Sequence, residues 1–258
     1  MSLSSSFLSH TPFRAVLFDM GSTLIYMDDS WAKSLDESGV VLYQALTELG
    51  YHLNPETFPQ AFVEKLRSYY EERDTEFIEY TTLYILETLL KQTGYSNLPE
   101  SDLRQALEQM YAHTEAHWHT EVDTLPMLQE LRRQGYHMGI ISNASDDQDV
   151  QSLIDMAGIR DFFEIILTSA AVGIRKPHPR IFQIALEFWG ISPQECVMVG
   201  DTLGADILGA RNAGLSSVWI TRRADTPDNR DHLDTILPDR TIATLAELPP
   251  LLQHWNSQ

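Results

Sequence analysis

A single cysteine, Cys196, occurs in the whole chain, so no internal disulfide can form and nothing points to an oxidising compartment. Basic residues are also scarce: 18 Lys and Arg stand against 37 Asp and Glu, a formal charge of −19. A surface of that sign repels phosphate backbones and anionic lipid, which argues against nucleic acid and membranes as partners. No run approaches the roughly 18 apolar residues that a membrane span needs. The Ser-rich stretch 1–12 has neither a basic flank nor a long apolar core, so it reads as a loose leader rather than a signal peptide. The expectation is a cytoplasmic protein. Internal repeats and low-complexity tracts are absent too. With 43% hydrophobic and 21% charged residues, the 258-residue chain has an ordinary globular composition, enough for one domain or two closely associated ones.

What is present divides into three pieces. A compact apolar run, Ala15 to Phe18, reads as a strand buried on both faces and opens a first piece, 13–26. A helical insertion, 27–122, follows, with helical periodicity over 35–49, 58–73, 81–93 and 102–117 and enough apolar side chains for its own small core. The remainder, 123–258, alternates: helices over 125–134, 147–157, 177–189 and 205–212, with strands over 137–141, 163–167, 196–199 and 217–220. That spacing implies right-handed βαβ crossovers and an α/β core, a Rossmann-like parallel sheet with an all-α insertion. A closing helix over 244–255 is expected to be interrupted at Pro249-Pro250.

Ligands of such sheets bind beyond the carboxyl ends of the strands. At those ends stand Asp19, Ser142 with Asn143, and Asp201, with Asp206 one helical turn on. A carboxylate directly after a buried strand is costly unless paired, bound to metal or kept for chemistry. Two or three of them in one crevice repel one another, and a hard divalent cation relieves that repulsion. Lysine is rare, with only Lys33, Lys65, Lys91 and Lys176 in the chain, and Lys176 sits between the strand at 163–167 and a proline-started helix. Ser142 and Asn143 are placed to donate hydrogen bonds to a phosphoryl oxygen.

The segments Phe18-Asp19-Met20-Gly21-Ser22-Thr23-Leu24, Ile141-Ser142-Asn143, Arg175-Lys176-Pro177 with Pro179, and Val199-Gly200-Asp201 with Asp206 resemble, in order, the four motifs of the haloacid dehalogenase-like hydrolase superfamily. The resemblance spans about 13–222, and the helical insertion falls where many members carry a helical cap. It implies a hydrolase, a phosphatase of a small phosphorylated metabolite. In that scheme Asp19 attacks phosphorus to form an aspartyl-phosphate. Mg²⁺ is held by Asp19, the Gly21 carbonyl and Asp201, with Asp206 in the outer shell orienting Lys176. Lys176 neutralises charge at the nucleophile, and Ser142 and Asn143 hold the phosphoryl group.

One position departs from that pattern. Family phosphatases usually carry a second aspartate two places after the nucleophile as general acid and base; here it is Gly21. Such a group contributes about 10²–10⁴-fold. Asp28, Asp29 or a histidine of the insertion are the nearby replacements. Two other family chemistries also lack that aspartate. Haloacid dehalogenation uses neither the metal nor the late acid pair that Asp201 and Asp206 provide. Phosphonate cleavage needs an imine-forming cap lysine, for which Lys33, Lys65 and Lys91 are the candidates. A weakly active or non-enzymatic binding protein on the same fold is a further alternative, against which Asp19, Lys176 and Asp201 all remain.

His113, His117 and His119 have spacing that can bind zinc, but a polar hinge helix explains them as well. Tyr69, Tyr70, Phe77, Tyr80 and Tyr84 are expected mainly to build the core of the insertion. Asp146-Asp147 reads as a helix cap, and Cys196 as a small core side chain. Hinges for opening and closing are expected at 26–29 and 122–125.

Overall fold

The computed structural model describes residues 12–28 and 30–258; residues 1–11, most of the stretch expected to be a leader, and the candidate Asp29 lie outside the described residues. β1 (Ala15–Phe18) is followed by the short strand β2 (Ile25–Met27), then α1 (Trp31–Glu48), α2 (Phe58–Glu76), α3 (Thr82–Gln92) and α4 (Glu100–Glu115), and a returning strand β3 (Trp118–Thr120). The chain then alternates through α5 (Thr124–Arg133), β4 (His137–Ser142), α6 (Asp147–Met156), β5 (Ile165–Thr168), α7 (Ser169–Val172), α8 (Pro179–Trp189), β6 (Cys196–Gly200), α9 (Leu208–Ala213) and β7 (Ser216–Ile220). It finishes with α10 (Pro227–Arg230), β8 (Arg240–Ile242) and α11 (Leu248–Trp255).

Six strands form one parallel sheet in the order β5-β4-β1-β6-β7-β8. β1 lies between β4 and β6, with Phe18 in register with Ile140 and Val199. Alternation along β1 divides its side chains between two cores. Val16 and Phe18 pack with Leu128, Ile154, Leu248 and Trp255 on one face; Ala15 and Leu17 pack with Ile181, Phe182, Met198 and Ala210 on the other. Helices therefore cover both faces, which is why β1 and β6 are apolar throughout. Cys196 belongs to the second core, where burial pushes its thiol far above the usual range.

Helices α1 to α4 bury a separate cluster that includes Leu42, Leu46, Phe62, Leu86, Leu90 and Leu107. Each fully buried side chain of this size contributes about 1.5–3 kcal/mol relative to exposure. The antiparallel pair β2–β3 carries the chain from the sheet to these helices and back.

Local signals explain most boundaries and several differences from expectation. α8 starts at Pro179 rather than Pro177, because His178 Nδ1 accepts from Arg180 N (3.1 Å) and a proline suits the first helical position. Pro249 and Pro250 do not interrupt the closing helix. They occupy its first turn, where backbone N–H groups have no helical partner to lose. β5 starts at Ile165, after a short turn at Arg160–Phe162. The short elements β2, β3, β8, α7 and α10 carry too few residues for a periodic signal. α7 intervenes between β5 and Lys176, so that lysine lies in a longer loop than the spacing suggests.

Candidate active site

Because β4, β1 and β6 are neighbours, Ser142, Asp19 and Asp201 emerge side by side at the carboxyl edge of the sheet. Asp19 N–H donates to Val199 O (2.9 Å), tying the first loop to β6. Asp206 comes from a π-turn, Leu203–Ile207, that leads into α9. Its carboxylate presses against Gly200, where a Cβ would sit 2.2 Å from Asp206 Oδ2; only glycine fits.

Lys176 closes the cluster. Its buried ammonium spends all three N–H bonds: on Asp19 Oδ1 (2.6 Å), Asp206 Oδ1 (2.7 Å) and the Ile141 carbonyl (2.7 Å). Asp206 Oδ2 accepts from Thr202 N (2.9 Å), so both of its oxygens are engaged in holding the lysine and the turn. Asn143 is engaged by the same loop. Its side-chain amide donates one N–H to Lys176 O (2.9 Å) and its Oδ1 accepts from Lys176 N (2.8 Å), so it clamps the lysine loop. Ser142, buried, lines the cavity beside it.

The electrostatics follow from burial and crowding. Burial pushes the Asp19 carboxyl up to about 6; Lys176 opposes this and Asp206 adds to it. Burial, then the negative charges of Asp19 and Asp206, push Asp201 well above the usual carboxylate range, with Lys176 opposing. Burial acts to lower Lys176, but Asp19 and Asp206 together hold it above its ordinary value. Ligand oxygens of Asp19, Asp201 and Asp206 lie within 4.8 Å of one another, the one such group of three among the described residues. The carboxylate of Asp201 accepts a long bond from Thr23 Oγ1 (3.5 Å). Three carboxyls against one ammonium, all hard oxygen donors, fit a divalent cation such as Mg²⁺.

Several positioning residues were invisible to pattern reading. The Asp201 carbonyl is held by Trp219 Nε1 (2.8 Å) and by buried Asn229 Nδ2 (2.8 Å), whose Oδ1 accepts from Leu203 N (2.7 Å). In the sequence Asn229 has only the signature of a turn.

A cavity of ≈ 810 Å³ opens above the cluster, between the sheet edge and α1, α2 and α4. Gly21 is in its wall, and the space a side chain there would enter is covered by an indole: a Cβ would lie 3.4 Å from Trp118 Cη2. Tyr70 and Phe77 line the cavity, joined by Trp31 and Trp118, which sequence reasoning did not single out. Tyr69 is core, as expected, whereas Tyr80 and Tyr84 stack on each other at the surface.

Asp28 does not line this cavity. It is exposed and bonds to His117 Nδ1 (3.3 Å) and His119 Nε2 (2.7 Å), contacts that lower its pKa. His113 pairs instead with Glu37 (3.1 Å), so the three histidines do not converge on one point. Lys33 and Lys91 pair with Glu37 and Glu87 on the same helices, and neither they nor Lys65 line the cavity.

A third tie joins helices and sheet, besides β2 and β3. In the segment between α2 and α3, Phe77 O accepts from Arg175 N (3.1 Å) and Glu79 N donates to Gly173 O (3.3 Å). Phe77 adopts φ 56°, a left-handed backbone rarely tolerated by a bulky residue. Buried Glu79 accepts from Tyr69 OH (2.7 Å), Ser169 Oγ (2.7 Å) and Arg175 (3.1 Å), so the latch ends on the residue next to Lys176.

The family model of the haloacid dehalogenase-like hydrolases matches residues 13–214. A glyceraldehyde 3-phosphate phosphatase from Methanopyrus kandleri is 31% identical over 238 residues, 91% of this chain and 95% of that protein. A phosphoserine phosphatase from Thermus thermophilus is 38% identical over 120 residues, spanning about half of each (46% and 48%). The crystal structure of a HAD phosphatase from Thermococcus onnurineus superposes with a TM-score of 0.65 at 25% identity, covering 93% of this chain and 98% of that one.

Proposed function

The chain belongs to the haloacid dehalogenase-like hydrolases, and from that membership we propose that it is a Mg²⁺-dependent phosphatase of a small phosphorylated metabolite, working through an aspartyl-phosphate. The observation that carries this reading is the meeting of Asp19, Asp201 and Asp206 around Lys176 at the carboxyl edge of the sheet. Relatives named as phosphatases support the choice of ester.

Asp19 carboxylate attacks phosphorus and the P–O bond to the leaving alcohol breaks; water then attacks the aspartyl-phosphate, releasing phosphate and restoring the carboxylate. Lys176 keeps Asp19 oriented and offsets the repulsion between its carboxylate and the incoming dianion. Ser142 borders the space where the phosphoryl group sits. Asp19, Asp201 and the Gly21 carbonyl would hold Mg²⁺, which supplies positive charge at the phosphoryl oxygens. Asp206 positions Lys176, and Asn143 fixes the loop that carries it. The helices α1–α4 serve as a cap over residues 27–122, rocking on β2 and β3 to admit substrate and exclude water. The buried, unpaired Cys196 fits a cytoplasmic setting.

Phosphonate cleavage is disfavoured because no lysine of the cap lines the cavity among the described residues. The test is hydrolysis of p-nitrophenyl phosphate with and without Mg²⁺. Dependence on the metal and a loss of at least about 10³-fold in Asp19→Asn are expected. Metal-independent turnover, or turnover that survives in the variant, would overturn the proposal.

A further inference from the structure

We propose that the leaving half of the substrate is an uncharged aromatic group that departs through a phenol-type oxygen, with Trp31, Phe77 and Trp118 as the specificity-determining side chains. This rests on the phosphatase reading and narrows its substrate class.

The first observation is charge. A carboxylate or second phosphate on the leaving half needs a cation, and the cavity wall offers no lysine or arginine to spare among the described residues. Lys176 has used its three N–H bonds on Asp19, Asp206 and Ile141. Arg175 is buried against Glu79. Arg104, behind the wall, is engaged by Asp146 (3.0 Å). The remaining carboxyls are Asp149 within the wall, pushed well above the usual range by burial, and Asp228 and Asp231 at the mouth beside His232. An anionic leaving half would lose its hydration and gain no partner, the costly case.

The second observation is shape and surface. The helix side of the lining includes Trp31, Leu35, Tyr70, Phe77 and Met110, with hydroxyls of α1 and α4 among them, and Trp118 lies over Gly21. Flat rings and a thioether present apolar faces that stack on another ring. At ≈ 810 Å³ the cavity is of a size that holds a whole small molecule, and a three-carbon phosphate would leave most of it empty. The backbone of Phe77, in its left-handed conformation, is tied to the sheet side by the Arg175 N–H to Phe77 O bond and, two residues on, by the Glu79 latch.

The third observation is independent of both. The place of the usual proton donor is Gly21, and Trp118 covers the space. With no donor at that place, the P–O bond breaks most readily when the departing oxygen is stable as an anion. An aryl oxygen meets that condition: it leaves with the bonding electron pair while phosphorus becomes bonded to Asp19, and it takes its proton from water afterwards. An alkoxide does not.

The experiment compares phenyl phosphate with 4-carboxyphenyl phosphate, which share a ring and a leaving oxygen and differ in one charge. The added carboxylate should raise KM by about tenfold or more, the scale on which a single unmatched polar group is rejected. Trp31 is half exposed, so Trp31→Arg should fold; it should restore the carboxylated ester and weaken phenyl phosphate. Across a series of substituted phenyl phosphates, kcat/KM should rise steeply with phenol acidity. Equal or better use of the carboxylated ester, indifference of both esters to Trp31→Arg, or a flat dependence on phenol acidity would overturn the inference while leaving the phosphatase reading intact. Failure to hydrolyse any ester in the presence of Mg²⁺ would instead overturn both.

Discussion

Two glycines frame the acid cluster, and they are there for different reasons. At Gly200 a side chain would collide with the carboxylate of Asp206, so the residue is set by the close approach of backbone and acid. At Gly21 nothing forbids a side chain except the ring of Trp118, which touches the space at 3.4 Å. Gly21→Asp therefore forces only a small shift of the indole and adds a proton donor beside the leaving oxygen. Hydrolysis of an alkyl phosphate should rise by about 10²-fold and that of an aryl phosphate by much less. Steady-state kinetics on both esters reads this, and equal effects would contradict it. Asp19, Asp201 and Lys176 were legible in the sequence because a charged residue directly beyond an apolar run, or a rare lysine before a proline, is conspicuous. Asn143 was legible as a residue of the site and not in its orientation, since both ends of its amide are taken by a loop more than 30 residues away. Trp118 and Asn229 gave no signal, because what they face is decided by tertiary packing alone.

At the scale of elements, the long apolar strands and amphipathic helices announced themselves, and the three-residue strands β2, β3 and β8 did not. The segment between α2 and α3 is the least legible part of the fold and one of the most constrained. Glu79 brings a carboxylate into a buried site where it meets a hydroxyl from α2, a hydroxyl from α7 and the guanidinium of Arg175. Removing one partner of such a pair leaves the other charge buried and unmatched, a loss of about 3–5 kcal/mol. Glu79→Gln should lower Tm accordingly and reduce kcat by loosening the loop that carries Lys176, whereas Glu79→Leu combined with Arg175→Met should recover most of the Tm. A variant as stable as the parent would show that the latch contributes little.

The return crossing has its own ion pairs, in which Arg222 meets Asp123 and Glu121 and Arg223 meets Glu121. Burial pushes the Asp123 carboxyl up, but hydrogen bonds from Arg222 and Ala246 N outweigh it and hold the group below the usual range. A carboxyl depressed in the folded state contributes stability above its unfolded value of about 3.8, and that contribution is lost as pH falls through the lower folded value. The Tm gap between wild type and Asp123→Asn should therefore be largest near neutrality and close below about pH 4. A gap that widens on acidification would contradict the pairing.

For the molecule as a whole, the formal charge of −19 and the chemistry at the sheet edge pull in opposite directions. Most of the surface repels a phosphorylated compound, and under the proposed function attraction would come from one lysine and from a divalent cation held beside it. The parallel order β5-β4-β1-β6-β7-β8 makes this possible by bringing motifs from distant parts of the chain to adjacent strand ends. That convergence was readable from the alternation of strands and helices. The cavity was not, because its aromatic wall comes from α1, α2, α4 and β3, whose faces are set only when the helices dock over the sheet. The most direct measurement of the account is acid-quenched turnover of a radiolabelled phosphate ester, followed by location of the label in the peptides. The account predicts label on the peptide containing Asp19 in the presence of Mg²⁺, and none in Asp19→Asn or without the metal. Label on another residue, or turnover with no labelled peptide at any quench time, would contradict it.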